Sequence, residues 1–174
     1  GEGIGVQLEA RIDFLDNDFA YTLSSGNILL TNGGLIQTSG AGNAHTDTIS
    51  SDISIQGDNG SASFETNSTT LGRVLVISGD ISGVSTAGNT TTLTLQGDGT
   101  SNTNAASGVI SDGGGGSLAV IKDGTVNCAL SGANLFTGGV TLNNGQLNIN
   151  KAAALGSGAF VINDPFWWSA DDKF

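Results

Sequence analysis

The sequence predicts an all-β chain wound as a solenoid, and three observations predict it. Apolar residues alternate with polar ones in short runs, as in Val140-Thr141-Leu142 and Leu147-Asn148-Ile149, and a period of two puts alternate side chains on opposite faces of a strand. Nowhere do apolar residues recur at helical spacing with the capping signals of a long helix. Similar wording returns at irregular intervals of roughly 20–30 residues, the range of solenoid repeats. Ser51-Asp52-Ile53-Ser54, Ser78-Gly79-Asp80-Ile81-Ser82-Gly83 and Ser107-Gly108-Val109-Ile110-Ser111-Asp112 are the clearest examples. Units this thin cannot bury their own apolar face and need similar units stacked above and below.

Composition narrows the choice. Glycine is abundant at 28 of 174 residues and proline almost absent at 1, but no three-residue glycine period exists, which excludes collagen. The 37% hydrophobic residues come in short pieces that suit a narrow, continuous core. With charged residues at only 12%, the surface must be largely Ser, Thr, Asn and Gly. Net charge is −11, and the five cations Arg11, Arg73, Lys122, Lys151 and Lys173 form no basic patch. Nucleic acid and anionic membrane surfaces are therefore excluded as partners. No apolar run approaches the ~20 residues of a membrane-spanning helix, so this segment is not expected to insert in a membrane. Cys128 is the only cysteine and forms no internal disulfide. It alternates with Val126 and Leu130, as a small buried side chain does, and low cysteine use suits an exported bacterial protein. The chain opens at Gly1 with no signal peptide, as a mature or excised segment would.

The elements follow in order. In residues 1–23, Val6, Leu8, Ala10 and Ile12, then Phe19, Tyr21 and Leu23, predict two strands joined by an acidic turn. Asp16-Asn17-Asp18 offers the clustered oxygens that calcium takes. No bidentate glutamate follows at EF-hand spacing, so a solvated turn is the stronger reading. In residues 24–60, Ile28-Leu29-Leu30 and Leu35-Ile36 flank a Thr-Asn-Gly-Gly turn, and Ile49, Ile53 and Ile55 follow a polar loop carrying His45. This lone histidine is expected to be exposed, and no second ligand stands near it in sequence for a transition metal. Residues 61–100 bring Phe64, Val74-Leu75-Val76-Ile77 and Leu93-Thr94-Leu95. The four-residue run reads either as a strand covered on both faces or as a strand ending at Ser78-Gly79-Asp80. Ala152-Ala153-Ala154-Leu155, just before Gly156, is the best candidate for one helical turn. Asn144-Gly145 is a favoured type I′ hairpin turn that would pair Leu142 with Leu147 and Val140 with Ile149. It serves equally as a solenoid corner, because both residues tolerate positive φ.

Residues 107–162 carry a more specific wording: Ser107-Gly108-Val109-Ile110-Ser111-Asp112 with the glycine run 113–116, then Val120-Ile121-Lys122-Asp123-Gly124. Ser131-Gly132-Ala133-Asn134-Leu135-Phe136-Thr137-Gly138-Gly139, Asn144-Gly145-Gln146-Leu147 and Ala154-Leu155-Gly156-Ser157-Gly158 follow. This order of motifs, over about a third of the chain, resembles the autotransporter-associated β-strand repeat, also called the passenger-associated transport repeat. The resemblance implies a right-handed parallel β-helix of a bacterial surface or secreted protein, and it favours the corner over the hairpin. It implies a fold and an extracellular address but no substrate. Two departures stand out. Thr125-Val126-Asn127-Cys128-Ala129-Leu130 replaces a glycine- and leucine-rich strand while keeping period two, and Asp164-Pro165-Phe166-Trp167-Trp168-Ser169-Ala170-Asp171-Asp172-Lys173-Phe174 is unlike the repeat.

The domain organisation expected is a β-helix over residues 1–163 and a non-repeat segment, 164–174, as cap or tail. At roughly 20–25 residues per coil the chain would make about seven or eight coils. Phe166, Trp167 and Trp168 would cover the open end of the last coil, plug into a neighbouring subunit or stack on a sugar ring. Chemistry is sparse. Asp80, Asp98, Asp112 and Asp123 sit beside turn glycines, where solvated turns explain them. Arg73 and Lys122 have no motif around them, and the nucleophile elbow and phosphate-loop patterns are missing. No catalytic, metal or cofactor residues are assigned. The expected role is a stiff extracellular spacer or adhesin stalk. Its partners would be itself, through coil-on-coil filament stacking if the ends match, or host and matrix glycans and surface proteins. A carbohydrate-active enzyme or a glycan-binding module is the alternative.

Overall fold

A computed structural model describes residues 11–15, 19–40, 43–68, 72–98 and 103–163. The calcium candidate Asp16-Asn17-Asp18 and the aromatic set Phe166, Trp167 and Trp168 lie outside the described residues. Within them the chain is all-β, without a helix.

The strands fall into successive coils. The first holds β1 (Arg11–Phe14), β2 (Thr22–Leu23) and β3 (Asn27–Leu30). The second holds β4 (Gly34–Gly40), β5 (Thr46–Ile49) and β6 (Asp52–Gln56), and the third β7 (Ser61–Ser68), β8 (Val74–Ile77) and β9 (Ile81–Val84). In the fourth come β10 (Thr90–Gln96), β11 (Asn104–Ala106) and β12 (Ile110–Ser111). Then β13 (Ser117–Lys122) and β14 (Cys128–Leu130), β15 (Val140–Leu142) and β16 (Leu147–Ile149), and finally β17 (Phe160–Ile162) complete the described chain. Each strand hydrogen-bonds to its counterparts one coil before and one coil after. The first sheet runs β1-β4-β7-β10-β13-β15-β17, the second β2-β5-β8-β11-β14-β16 and the third β3-β6-β9-β12. Every pairing is parallel. This is a parallel β-helix, and at about 4.8 Å per rung its seven-stranded sheet is roughly 29 Å tall.

The hairpin alternative fails because Val140 pairs with Val120 below and Phe160 above, while Leu147 pairs with Cys128 in another sheet. Asn144-Gly145 is a corner, with Gly145 at φ 72°. Val74–Ile77 alternates in burial and stops at a corner, so it is covered on one face only. Residues 152–155 form hydrogen-bonded turns rather than a helix, with Ala154 N–H donating to Lys151 O at 3.1 Å.

Inside, apolar columns run along the axis, as stacked period-two strands require. Ile28, Ile53, Ile81 and Ile110 form one, and Leu23, Ile49, Ile77, Ala106, Leu130 and Ile149 another. Ile49, Ile53, Ile77, Ile81 and Ile110 are all fully buried. Outside, short polar side chains bridge rungs. Asn27 donates to Ser54 at 3.2 Å, and the Ser54 and Ser82 hydroxyls meet at 3.3 Å.

Corners are where the coil-to-coil bonding would lapse, and the repeated words of the sequence sit there. In the Ser-Gly pairs, Ser78 N–H donates to Ile49 O, Ser107 N–H to Ile77 O and Ser131 N–H to Ala106 O, at 2.7–3.0 Å. The following glycine leaves room for backbone. A Cβ on Gly79 would strike the Ser51 carbonyl, on Gly108 the Gly79 carbonyl and on Gly132 the Gly108 carbonyl. Acidic turn residues add side-chain bonds at this corner and at the next. Asp52 accepts from Asp80 N–H (3.0 Å) and Asp80 from Val109 N–H (2.8 Å). Asp58 takes both N–H and hydroxyl of Thr86, and Asp112 both of Thr137. Asp80 and Asp112 sit at turns as expected, Asp80 exposed and Asp112 half-buried, and their carboxylates also receive hydrogen bonds from the next coil.

The coil also narrows. Ser54 and Ser82 are 28 residues apart and Glu65 and Gln96 are 31 apart, but Asn143 and Asn163 only 20. The third sheet ends at β12, and the Ser-Gly-Ala-Asn motif replaces it. Buried Asn134 accepts from Ile110 N–H at 2.9 Å and donates to Ala154 O at 2.7 Å, so one side chain ties three successive coils. Phe136, fully buried beside it, fills the space of the missing strand. Against the expected seven or eight coils of roughly 20–25 residues, the described chain has four three-stranded coils followed by smaller two-stranded ones.

Two outcomes are expected. Gly108→Ala should lose about 1–3 kcal/mol in urea unfolding through overpacking, whereas Gly115→Ala, whose Cβ would meet nothing closer than 3.5 Å, should change little. Asn134→Ala orphans a buried donor and a buried acceptor, each costing about 1–3 kcal/mol, and a stability within error of the parent would refute the tie.

Candidate functional site

The corner between the first and second sheets concentrates the polar chemistry. One inward column of the first sheet reads Ile12, Ile36, Phe64, Leu95, Lys122, Leu142, Ile162. Lys122 occupies an apolar rung and is fully buried. Its aliphatic stem packs in the column while the ammonium reaches the corner. There Nζ donates to three carbonyl oxygens, those of Gly124 at 2.9 Å, Asn144 at 3.2 Å and Asp123 at 2.5 Å. Three donors and three acceptors satisfy the ammonium without a carboxylate contact. Burial holds its pKa below the ordinary 10.5, opposed by the charges of Cys128, Asp123 and Asp98. Cys128 is buried as the sequence implied, and desolvation raises its thiol from 9.0 to about 11, with Lys122 pulling the other way. A protonated, enclosed thiol is a poor nucleophile.

Outside this corner lies an open groove of about 330 Å³, lined by Glu65, Asn67, Gln96, Gly97, Asp98, Asp123, Gly124 and Asn144. The turn carbonyls that hold Lys122 belong to its wall. Glu65 accepts from Asn67 at 2.8 Å and from Gln96 Nε2, and Asn67 also reaches Gln37 at 3.5 Å. Asp98 N–H donates to Asn67 Oδ1 at 3.4 Å, and Asp123 accepts from Gly124 N–H at 2.8 Å. Register therefore brings Asp98 and Asp123 together with Glu65, while Asp80 and Asp112 close corners of the third sheet. Carboxylates and carboxamides in one groove can hydrogen-bond hydroxyls and repel polyanions. No aromatic ring lines the groove.

A second polar cluster sits at the same corner, lower in the rod. Arg73 and Asp47 are fully buried, and the His45 side chain is only 6% exposed. The exposed His45 expected from its polar loop is thereby corrected. Its Nδ1 lies 3.0 Å from Asn43 O, and since a carbonyl only accepts, Nδ1 carries the hydrogen. Nε2 then accepts from Arg73, with Nε at 3.2 Å and Nη2 at 3.0 Å. Arg73 Nη1 also donates to Ser39 O. Asp47 takes Thr38 Oγ1 at 2.7 Å and Tyr21 N–H at 3.1 Å, and stands 3.3 Å from His45 Nε2. These groups join the first three coils, so they clamp the register. Arg73 and Lys122, which no sequence motif surrounds, are both buried and hydrogen-bonded to backbone carbonyls.

Among the described residues, no three His, Cys, Asp or Glu side chains are grouped to hold a metal ion, and no helix is long and apolar enough to cross a membrane. Comparison with protein-family models, with curated proteins and with solved structures returns no match.

The Cys128–Lys122 pair predicts a particular alkaline behaviour. A raised thiol pKa contributes stability that is whole below pH 9 and is lost as pH rises through about 11. The depressed lysine acts oppositely, because the folded ammonium sheds its proton first and stability gains as pH rises toward 10.5. Cys128→Ala should therefore lose less stability than the parent between pH 8 and pH 10.5 in paired urea titrations. Equal losses would assign the alkaline sensitivity to other groups.

Proposed function

We propose that the chain is a stiff spacer or stalk segment of an extracellular, adhesin-like bacterial protein, without catalytic activity. The observation that carries this reading is the uninterrupted seven-stranded parallel ladder, tied at its corners by Asp, Asn and Ser-Gly contacts. Each coil rests on its neighbours, so the molecule is a rod whose job is geometric. The resemblance of residues 107–162 to the autotransporter-associated repeat supplies the surface address. An exterior of Ser, Thr and Asn with net charge −11 keeps such a rod dissolved and resists non-specific adhesion to anionic surfaces.

The groove around Glu65 favours a second reading, in which the rod also holds a neutral glycan weakly. Its carboxylates and carboxamides face solvent along one corner, where hydroxyl groups of a sugar chain would find acceptors and donors.

Antibody labelling of intact cells of the source bacterium tests the spacer. Surface labelling that disappears on gentle protease shaving is expected, and a protein confined to the cytosol would overturn the assignment. For the groove, a glycan array comparing the parent with Gln96→Ala and Asn67→Ala is the test. Neutral glycans retained by the parent and lost by both variants are expected, and no retained glycan ends the second reading.

A further inference from the structure

We propose that Asn144-Gly145 is a self-modification site, at which Asn144 loses its side-chain nitrogen as ammonia and becomes isoaspartate, with the Lys122 ammonium directing that outcome. The chain holds three Asn-Gly pairs, Asn32-Gly33, Asn59-Gly60 and Asn144-Gly145. A following glycine has no side chain to shield the backbone nitrogen that attacks the carboxamide. By sequence the three pairs rank alike.

The structure separates them. Asn32 Oδ1 accepts from Ser61 N–H at 3.0 Å and from the Ser61 hydroxyl at 3.2 Å, while Gly33 N–H donates to Ser61 O at 2.8 Å. Asn59 Nδ2 donates to Asn89 Oδ1 at 3.1 Å and its Oδ1 accepts from Thr90 N–H at 3.3 Å, while Gly60 N–H donates to Gly57 O at 3.0 Å. In both pairs the next coil holds the carboxamide and the glycine nitrogen faces a different carbonyl. In the third pair the glycine nitrogen faces its own asparagine: Gly145 N–H donates to Asn144 Oδ1 at 2.7 Å. The carbon to be attacked, Cγ, is bonded to that oxygen, and a turn about Cβ–Cγ presents its face to the nitrogen. Holding the reacting groups in contact is what makes an intramolecular step fast. Both residues are exposed, and Asn144 lines the open groove, so water enters and ammonia leaves.

Packing keeps the labile pair in place. Gly145 has φ 72°, and a Cβ there would strike the Gly124 carbonyl. Asp123-Gly124, at the same corner one coil below, makes the same contact at 2.8 Å, but its carboxylate is a poor electrophile.

The step balances as follows. The Gly145 nitrogen bonds to Asn144 Cγ, the Cγ–Nδ2 bond breaks, and Nδ2 departs as ammonia with the Gly145 proton. The cyclic imide then takes up one water. Water adding at Cγ gives aspartate. Water adding at the main-chain carbonyl carbon gives isoaspartate, with the chain rerouted through Cβ and Cγ. Lys122 Nζ donates to that main-chain oxygen, Asn144 O, at 3.2 Å. The ammonium therefore stabilises the charge that develops there as water adds. It then pairs with the α-carboxylate to which the oxygen belongs, a stronger acceptor than the neutral carbonyl. The product adds one negative charge to a groove already lined by Glu65, Asp98 and Asp123. The inference rests on this corner and is independent of the spacer and glycan readings.

The test ages the full chain in mildly alkaline buffer, folded and in urea, and follows each Asn-Gly peptide by mass spectrometry, with isoaspartate methyltransferase marking the isoaspartyl product. In the folded chain Asn144 should convert about tenfold faster than Asn32 and Asn59, or more, and in urea the three rates should draw together. The isoaspartate share at Asn144 should be higher folded than in urea. Lys122→Met should leave Asn144 the fastest site and shift its product toward aspartate. Conversion at Asn32 or Asn59 as fast as at Asn144 in the folded chain overturns the site. An isoaspartate share that is the same folded and in urea overturns the role of Lys122, whether or not Lys122→Met folds. Neither result bears on cell-surface display or on glycan retention.

Discussion

Everything in this molecule depends on one requirement: after each circuit the backbone must arrive one rung above itself with its N–H groups facing the carbonyls below. Along flat sheets that condition propagates without help, because parallel strands in register present evenly spaced donors and acceptors. At corners the chain turns, and the ladder would lapse. The sequence spends its repeated words there. Ser-Gly pairs bring backbone against backbone so closely that a side chain on the glycine would collide with the carbonyl beneath. Where backbone cannot reach, a short side chain substitutes for it. The Asp58 carboxylate holding Thr86 and the Asp112 carboxylate holding Thr137 are the same device used twice. Hydrogen bonds from Thr86, its N–H first, hold the Asp58 carboxyl below the ordinary carboxylate value.

The same requirement explains why charges lie inside. A coil closed on all sides offers few places for a long polar side chain, and Arg73 and Lys122 use the corner carbonyls as their acceptors. Breaking such buried partnerships costs more than forming them contributes. Their value is positional, since the Arg73, His45 and Asp47 groups fit together in one register of the stacked coils and in no register shifted by a residue.

Much of the fold could be read directly. Alternation located most strands, and the Ser-Gly words at Ser78, Ser107 and Ser131 marked corners because one backbone geometry recurs at each. The burial of Cys128 followed from its alternation with Val126 and Leu130. What could not be read depends on partners far along the chain. His45 looked exposed because its neighbours in sequence are polar, yet the group that covers it, Arg73, is 28 residues away. Asp98 and Asp123 stand together with Glu65 only because the register places 31 residues between Glu65 and Gln96. Such distances vary from coil to coil, so no fixed spacing announces the groove. The two-stranded coils were likewise hidden, since Asn134 and Phe136 replace a strand by side-chain contacts that a period-two reading does not detect.

The narrowing has a consequence for how such a protein can change in length. Val120, Val140 and Phe160 occupy one column at constant steps of 20 residues. An in-frame duplication of one such step near the narrow end would add a rung whose contacts above and below already exist. Among the wider coils, where the step varies, a copied segment would meet neighbours cut to another measure. Gene duplication can therefore lengthen this rod at one end far more readily than at the other.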